Sequence, residues 1–273
     1  MTETTLLIGG NGKTGRRVAS RLAAHGIDVR IGSRSGAPRF DWADEGSWAE
    51  AFHGVGAAYL TYYPDLALPG AAERVGAVAE LAARSGVEQL VLLSGRNEEL
   101  AQEAERRVQA AGTGWTIVSC SWFAQNFSEE FLVADVLRGV ITAPAGDTVE
   151  PFVDAEDIAD VVAAALTDPK HRGNRYELTG GRALGFAAVA AELSLATGRD
   201  ISYAPVSDVA YELVLRDAGL PVELGEMFRS ILDGRNAVPQ DGVREALGRA
   251  PRDFGDYARR TAATGVWDVP PLR

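Results

Sequence analysis

Seven residues near the amino terminus, Gly9-Gly10-Asn11-Gly12-Lys13-Thr14-Gly15, carry the strongest chemical signal in the chain. They follow the aliphatic run Thr5–Ile8 and open a helical pattern over Arg16–Ala24. Gly9, Gly12 and Gly15 fall on a G-x-x-G-x-x-G spacing. Gly9 permits a sharp exit from a strand, Gly12 lets backbone approach a pyrophosphate, and Gly15 lets a helix pack closely on a sheet. A helix N-terminus behind such a turn offers N–H groups and a positive partial charge to phosphate. Gly12-Lys13-Thr14 also ends like a P-loop, but that motif needs a glycine at position 7, where Leu7 stands within the strand.

A dinucleotide fold that selects NAD carries Asp or Glu about 20 residues on, bonded to the ribose 2′-hydroxyl. Here the second strand pattern, Val29 and Ile31, ends in Gly32-Ser33-Arg34-Ser35, and Arg34 lies 34 − 12 = 22 residues after Gly12. A guanidinium beside a hydroxyl suits a 2′-phosphate in charge and in bidentate geometry. The expected cofactor is therefore NADPH rather than NADH, held through Gly9, Gly10, Asn11, Gly12, Lys13, Thr14, Ser33 and Arg34. Asp41 and Trp42 are placed to border the adenine, with core packing as the other role open to Trp42. Thr61, Tyr62 and Tyr63 end a later strand, at the rim where a nicotinamide would lie. Tyr62 or Tyr63 could donate a proton or stack on a cationic substrate; aromatic packing at a domain boundary is the alternative.

These residues need a scaffold that gathers strand ends. Apolar runs alternate with helical patterns: Thr5–Ile8, Val29 with Ile31, Phe40–Trp42, Ala57–Tyr63, Leu90–Leu93 and Trp115–Val118 read as strands. Helical patterns stand between them, including Ala71–Ala83 and Glu98–Ala111. That order predicts an α/β fold, a doubly wound parallel (Rossmann) sheet that binds ligand at its carboxyl edge. Beyond about residue 145 the alternation weakens. We expect residues 1–145 to form the dinucleotide-binding domain and 146–273 a smaller, mostly helical substrate region, with 154–180 packing back on the sheet. Its helices read as Asp154–Leu166 with Asp154 as N-cap, Phe186–Thr197, Tyr211–Gly219 and Val222–Leu232.

Composition narrows the classes. In 273 residues, 46% are hydrophobic and 24% charged, which suits a folded soluble chain. Lys+Arg 27 against Asp+Glu 38 gives a net charge of −11, so nucleic acid is not expected as a partner. The single cysteine, Cys120, excludes a disulfide framework, and three scattered histidines offer no metal site. His171 reads as a solvated loop residue. No signal or membrane span is apparent, so a cytoplasmic protein acting on a small molecule is expected. Oligomeric state stays open, with a homodimer as one option.

The stretches LLIGGNGKTGRRVA, RIGSRS, FDWAD, VLLSG, PFVDAEDIADVVAAALTDP and YELTGG resemble the NmrA-like atypical short-chain dehydrogenase/reductases over roughly residues 4–206. Within that group GGNGKTGRR, SRSG, FDW and SWFAQNF are most similar to the ergot-alkaloid biosynthetic reductases of the agroclavine or festuclavine dehydrogenase type. The resemblance implies an NADPH-dependent reductase and, in that subgroup, reduction of an iminium carbon. It places Ser94 where short-chain dehydrogenases carry a strand-end serine, with Gly95 beside it. It also implies nicotinamide contacts through Cys120, Trp122 and Phe123, and a role for Asn126 near the active-site mouth, either orienting substrate or capping a turn. The family's Arg-Pro near Ser119 and Cys120 is absent.

Typical short-chain dehydrogenases pair that serine with Tyr-x-x-x-Lys, the Tyr acting as proton donor. The segment NEELAQEAERRVQ contains neither residue. Two readings follow. The substrate needs no acid, as for a C=N (iminium) or other activated double bond, with Glu98, Glu99 or Asp65 as candidate counter-charges. Alternatively the chain is a non-catalytic NADP(H)-sensing regulator acting through a protein partner. An epimerase or dehydratase using the nucleotide transiently is a third option.

Overall fold

A computed structural model describes residues 4–217, 219, 225, 229 and 231–269. The chain opens with β1 (Thr4–Ile8), α1 (Lys13–Ala24), β2 (Val29–Gly32), α2 (Trp48–Ala51) and β3 (Val55–Leu60). It continues through α3 (Ala71–Arg84), β4 (Gln89–Gly95), α4 (Glu99–Gln109) and β5 (Gly114–Cys120). With strand Asn174–Leu178 these strands form a six-stranded sheet in the order β2-β1-β3-β4-β5-(174–178). Every pairing is parallel, with Leu7 opposite Ile31 and Tyr59, and Cys120 opposite Leu178. Successive residues Leu6, Leu7, Leu90, Val91 and Leu92 are fully buried, so both sheet faces are covered. The covers are α1 packed with helix Ala155–Thr167, and α3 packed with α4. This is a doubly wound Rossmann-type fold. The strand order reverses between β1 and β3, which puts the ligand crevice at the ends of those two strands.

The chain divides into two compact units. The first holds the chain up to Cys120, Ala155–Leu178 and Asp241–Ala250; the second holds Ser121–Asp154, Thr179–Gln240 and the chain from Pro251 on. The expected division at 145/146 is therefore replaced by an interleaved one, because the chain returns twice to the first unit. Asn174–Leu178 supplies the sixth strand, and Gly242 packs so closely on Glu177 that a Cβ would lie 2.6 Å from its carbonyl carbon. The second unit mixes helices with two small sheets, Val140–Ala143 with Ser202–Pro205 and Val149–Glu150 with Leu184–Gly185. Its core gathers Trp122, Phe127, Phe152, Phe186, Phe254, Tyr257 and Trp267. The helix expected over Val222–Leu232 falls largely outside the described residues.

Phe40–Trp42 is not a strand of the sheet. Its neighbourhood makes only isolated bridges, Ser33 with Arg39 and Asp41 with Asp44. Arg39 pairs with both Asp41 and Asp44, which curls the chain, and Phe40 and Trp42 pack edge to face at 5.1 Å instead of extending. Among the described residues no helix is long and apolar enough to cross a membrane, and none cluster three or more His, Cys, Asp or Glu side chains fit to hold a metal ion.

His171 is also not solvated: it is 1% exposed. Its Nδ1 lies 2.9 Å from the Tyr176 hydroxyl, its carbonyl accepts from Thr116 at 2.7 Å, and its Nε2 has no hydrogen-bond partner. Burial, aided by Lys170, lowers its pKa below the ordinary 6.5. The unfolded chain then takes up the proton first as pH falls, so folded stability drops as acid passes below about 6.5. Thermal melts across pH 7.5 to about 5 should show that fall, and His171→Phe should flatten it. An unchanged slope in the variant would assign the acid sensitivity to other groups.

Candidate functional site

The turn between β1 and α1 is built so tightly that side chains are excluded from it. Gly9 has φ +76°, and a Cβ there would collide with the Thr61 hydroxyl, which itself donates to the Ile8 carbonyl at 2.9 Å. A Cβ on Gly10 would lie 2.6 Å from Ile31, and one on Gly15 would meet the Gly9 carbonyl oxygen and stand 2.6 Å from the Gly10 Cα. Gly12 differs: its nearest neighbour would be the Gly9 oxygen at 3.2 Å, so one side of it faces open space. Gly12 is the N-cap of α1, extended at φ −76° and ψ 179°, with no side-chain cap bond. The first turn of α1 thus presents its N–H groups toward the space beside Gly12.

Around this turn the expected residues take distinct places. Asn11, Ile31, Ser33, Ser35 and Gly36 line part of an open cavity of about 550 Å3 along β2. Thr14 is buried and its hydroxyl accepts from Tyr59 at 3.0 Å, so only its backbone faces the turn; burial raises the Tyr59 phenol pKa. Arg34 is exposed at the end of β2, and among the described residues its guanidinium makes no hydrogen bond or ion pair. It lies over the Tyr63 ring, 5.8 Å from the centroid. Trp42 donates from its indole to the Thr61 carbonyl at 3.1 Å and packs 4.9 Å from the Tyr62 ring. The Tyr62 hydroxyl in turn accepts from Arg74 at 3.0 Å. Asp41 is engaged locally: its carboxylate takes Arg39 and the Ala43 N–H, and its carbonyl accepts from Trp48.

The end of β4 departs from expectation. Ser94 donates its hydroxyl to Glu105 at 2.6 Å, inside a buried network. Glu105 pairs with Arg175 at 2.7 Å, and Arg175 reaches Ser119 and Glu177. Arg96 pairs with Glu177 at 3.0 Å. Ser94 is thus committed to α4 and strand 174–178 rather than poised as a proton relay. The signal for this was in the sequence. Glu105 sits on the apolar stripe of α4 with Ala101, Ala104 and Val108, where a carboxylate must find a partner. Glu105→Ala should cost about 1–3 kcal/mol, reduced from a fully dry pair because Arg175 is partly exposed. Urea melts check this; a loss below about 0.5 kcal/mol would mean the pair contributes as little as a surface one. The Glu98 carboxylate folds over Gly95, 2.7 Å through one oxygen from where a Cβ would stand. Cys120 is buried with its thiol pKa pushed up by burial, which removes it as a nucleophile but leaves its backbone, whose carbonyl accepts from Arg96 at 3.0 Å.

Trp122, Phe123 and Asn126 belong to the second unit. The Trp122 ring is core, 6.2–6.4 Å from Phe131, Phe152 and Phe186, and the Trp122 backbone N–H donates to the Glu150 carboxylate at 3.3 Å. Phe123 is half-buried in a bridge with Val153, and half-buried Asn126 sits on the turn Ala124–Phe127. Gln125, which sequence reasoning passed over, binds Asp154 at 2.8 Å, and Arg260 holds the other oxygen at 2.5 Å.

Comparison with known proteins gives this arrangement its context. An agroclavine dehydrogenase of Claviceps fusiformis is 30% identical, over 93% of this chain and 96% of its own length. An NADPH-dependent quinone oxidoreductase of Escherichia coli, solved with NADPH, superposes with a TM-score of 0.78 at 21% identity, covering 94% of this chain and 99% of that one. A crystal structure of NmrA, a negative transcriptional regulator, superposes at 0.72 with 18% identity over 97% and 98% of the two chains. The model of the NmrA-like family matches residues 101–251, more than half of the sequence. The chain belongs to the NmrA-like family.

Proposed function

We propose that the protein is an NADPH-dependent oxidoreductase that reduces a C=N (iminium) or an activated C=O or C=C bond of a small organic substrate. The observation that carries this reading is the pairing of a turn closed to side chains with an uncommitted guanidinium at the end of β2. Gly12 and the first turn of α1 suit a pyrophosphate, and Ser33 and Arg34 suit a 2′-phosphate. Trp42 and Tyr62 provide an aromatic wall at the β3 end. NADPH, when bound, supplies the hydride.

The chain's own groups favour a substrate that arrives needing no proton. Helix α4 has no Tyr or Lys, and Ser94 donates its hydroxyl to Glu105. An iminium is neutralised by hydride alone, so the protein's part is proximity, orientation and exclusion of water. The names of the dehydrogenase and quinone oxidoreductase relatives support reductase chemistry. The committed Ser94 hydroxyl and the lack of Tyr and Lys on α4 favour, as second reading, a non-catalytic NADP(H) sensor.

Purified protein with NADPH should be offered cyclic iminium ions, quinones and simple ketones while the absorbance of the reduced nicotinamide is followed. Turnover of iminium ions or quinones well ahead of ketones is expected. Tight NADPH binding without turnover on any of them would replace the enzyme reading with the sensor.

A further inference from the structure

We propose that Tyr63 is a positioning residue for cofactor selectivity: its ring holds the Arg34 guanidinium at the end of β2, ready for the 2′-phosphate. This rests on the proposed reading of Arg34 as the 2′-phosphate ligand.

Tyr63 is 70% exposed, the most exposed aromatic side chain among those large hydrophobics that face solvent. Aromatic packing is thus not its role, which corrects one expectation for it, and its hydroxyl makes no hydrogen bond among the described residues, which offers nothing to align it as a proton donor. Its partner is Arg34, whose Cζ stands 5.8 Å from the ring centroid, within range of a cation–π contact. Contact through charge and ring face leaves the N–H fork of a guanidinium uncommitted, and that fork matches phosphate oxygens. Other arginines of this region are differently placed: Arg39 is paired with Asp41 and Asp44, and Arg30 donates to the Ala51 and His53 carbonyls. The ring also has a firm base. Tyr62, one residue earlier, is held by Trp42 at 4.9 Å and by Arg74 at 3.0 Å. An arginine side chain otherwise loses much rotamer freedom on binding a phosphate; a ring that narrows its range beforehand reduces that loss.

The test is the dissociation constant for NADPH and for NADH, measured by intrinsic fluorescence on Tyr63→Ala, Tyr63→Phe, Arg34→Ala and the Tyr63→Ala/Arg34→Ala pair. Tyr63→Ala should weaken NADPH about two- to fivefold and leave NADH unchanged. Tyr63→Phe keeps the ring face and should match wild type. Arg34→Ala should weaken NADPH about 10- to 100-fold, and Tyr63→Ala should add nothing in its background. Tyr63→Ala that binds NADPH as well as or better than wild type, or that weakens NADH equally, overturns the positioning role while Arg34→Ala still upholds the 2′-phosphate reading. NADPH binding unchanged in Arg34→Ala removes that reading, and the role of Tyr63 with it.

Discussion

Gly12→Ala will fold like the wild type and bind NADPH at least about fivefold more weakly, whereas Gly15→Ala will lose stability as well. The two glycines stand three residues apart and look alike in sequence, yet their surroundings differ. A methyl at Gly12 meets the Gly9 oxygen at 3.2 Å and otherwise fills space in front of the helix N-terminus. The backbone there is at φ −76°, open to any residue, so the melting temperature should stay within a few degrees. What is lost is close approach: overpacking of this kind costs roughly 1–3 kcal/mol, a weakening of about 5- to 150-fold. A methyl at Gly15 instead enters the backbone of Gly9 and Gly10. The same cost then falls on the folded state, lowering the melting temperature by roughly 2–12 °C. Calorimetric titration and thermal melts on both variants separate the effects. A Gly12→Ala protein that binds NADPH at wild-type affinity would show that the turn holds no pyrophosphate.

The second large effect is at Arg34. Arg34→Glu should lower NADPH affinity about 100-fold or more and reverse the preference toward NADH. The wild-type guanidinium contacts the Tyr63 ring but has no hydrogen-bond or ion-pair partner among the described residues, so its N–H fork and charge are available. A charge-assisted contact to phosphate contributes roughly 1.5–3 kcal/mol, and a carboxylate in its place adds repulsion of the 2′-phosphate. The same carboxylate can accept from a ribose 2′-hydroxyl, so NADH is spared. Raising salt should weaken NADPH binding in the wild type more than in the variant. Equal weakening of the two coenzymes by Arg34→Glu would mean that Arg34 does not read the 2′ position.

The parts legible in the sequence were those governed by local rules. The glycine spacing, the aliphatic runs that become β1, β4 and β5, and the helix stops are set by residues a few positions apart. Phe40–Trp42 misled because two aromatics flanking an aspartate carry no information about whether a neighbouring strand exists; Arg39 and its partners Asp41 and Asp44 decide the matter by turning the chain. Residues 154–180 were expected to pack back on the sheet, but that Asn174–Leu178 joins it as the sixth strand was not legible, since its partner, β5, lies more than 50 residues away. The boundary at Cys120 was invisible for the same reason: only the return of Ala155–Leu178 reveals where the first unit ends. At the site, the spacing that puts Gly12 at the start of α1 and the charge of Arg34 past β2 were readable, while their roles toward a cofactor are proposals. The engagement of Ser94 was signalled only indirectly, by Glu105 on the apolar stripe of α4 rather than by any motif. His171 sits in a polar stretch, and only the fold shows that Thr116 and Tyr176 enclose it.

Calorimetric titration of the wild-type protein with NADPH and with NADH tests the account most directly. Saturable binding at one site per chain is expected, with NADPH clearly the tighter of the two. Folded protein that evolves no heat with either coenzyme, or that binds NADH as tightly as NADPH, would contradict it.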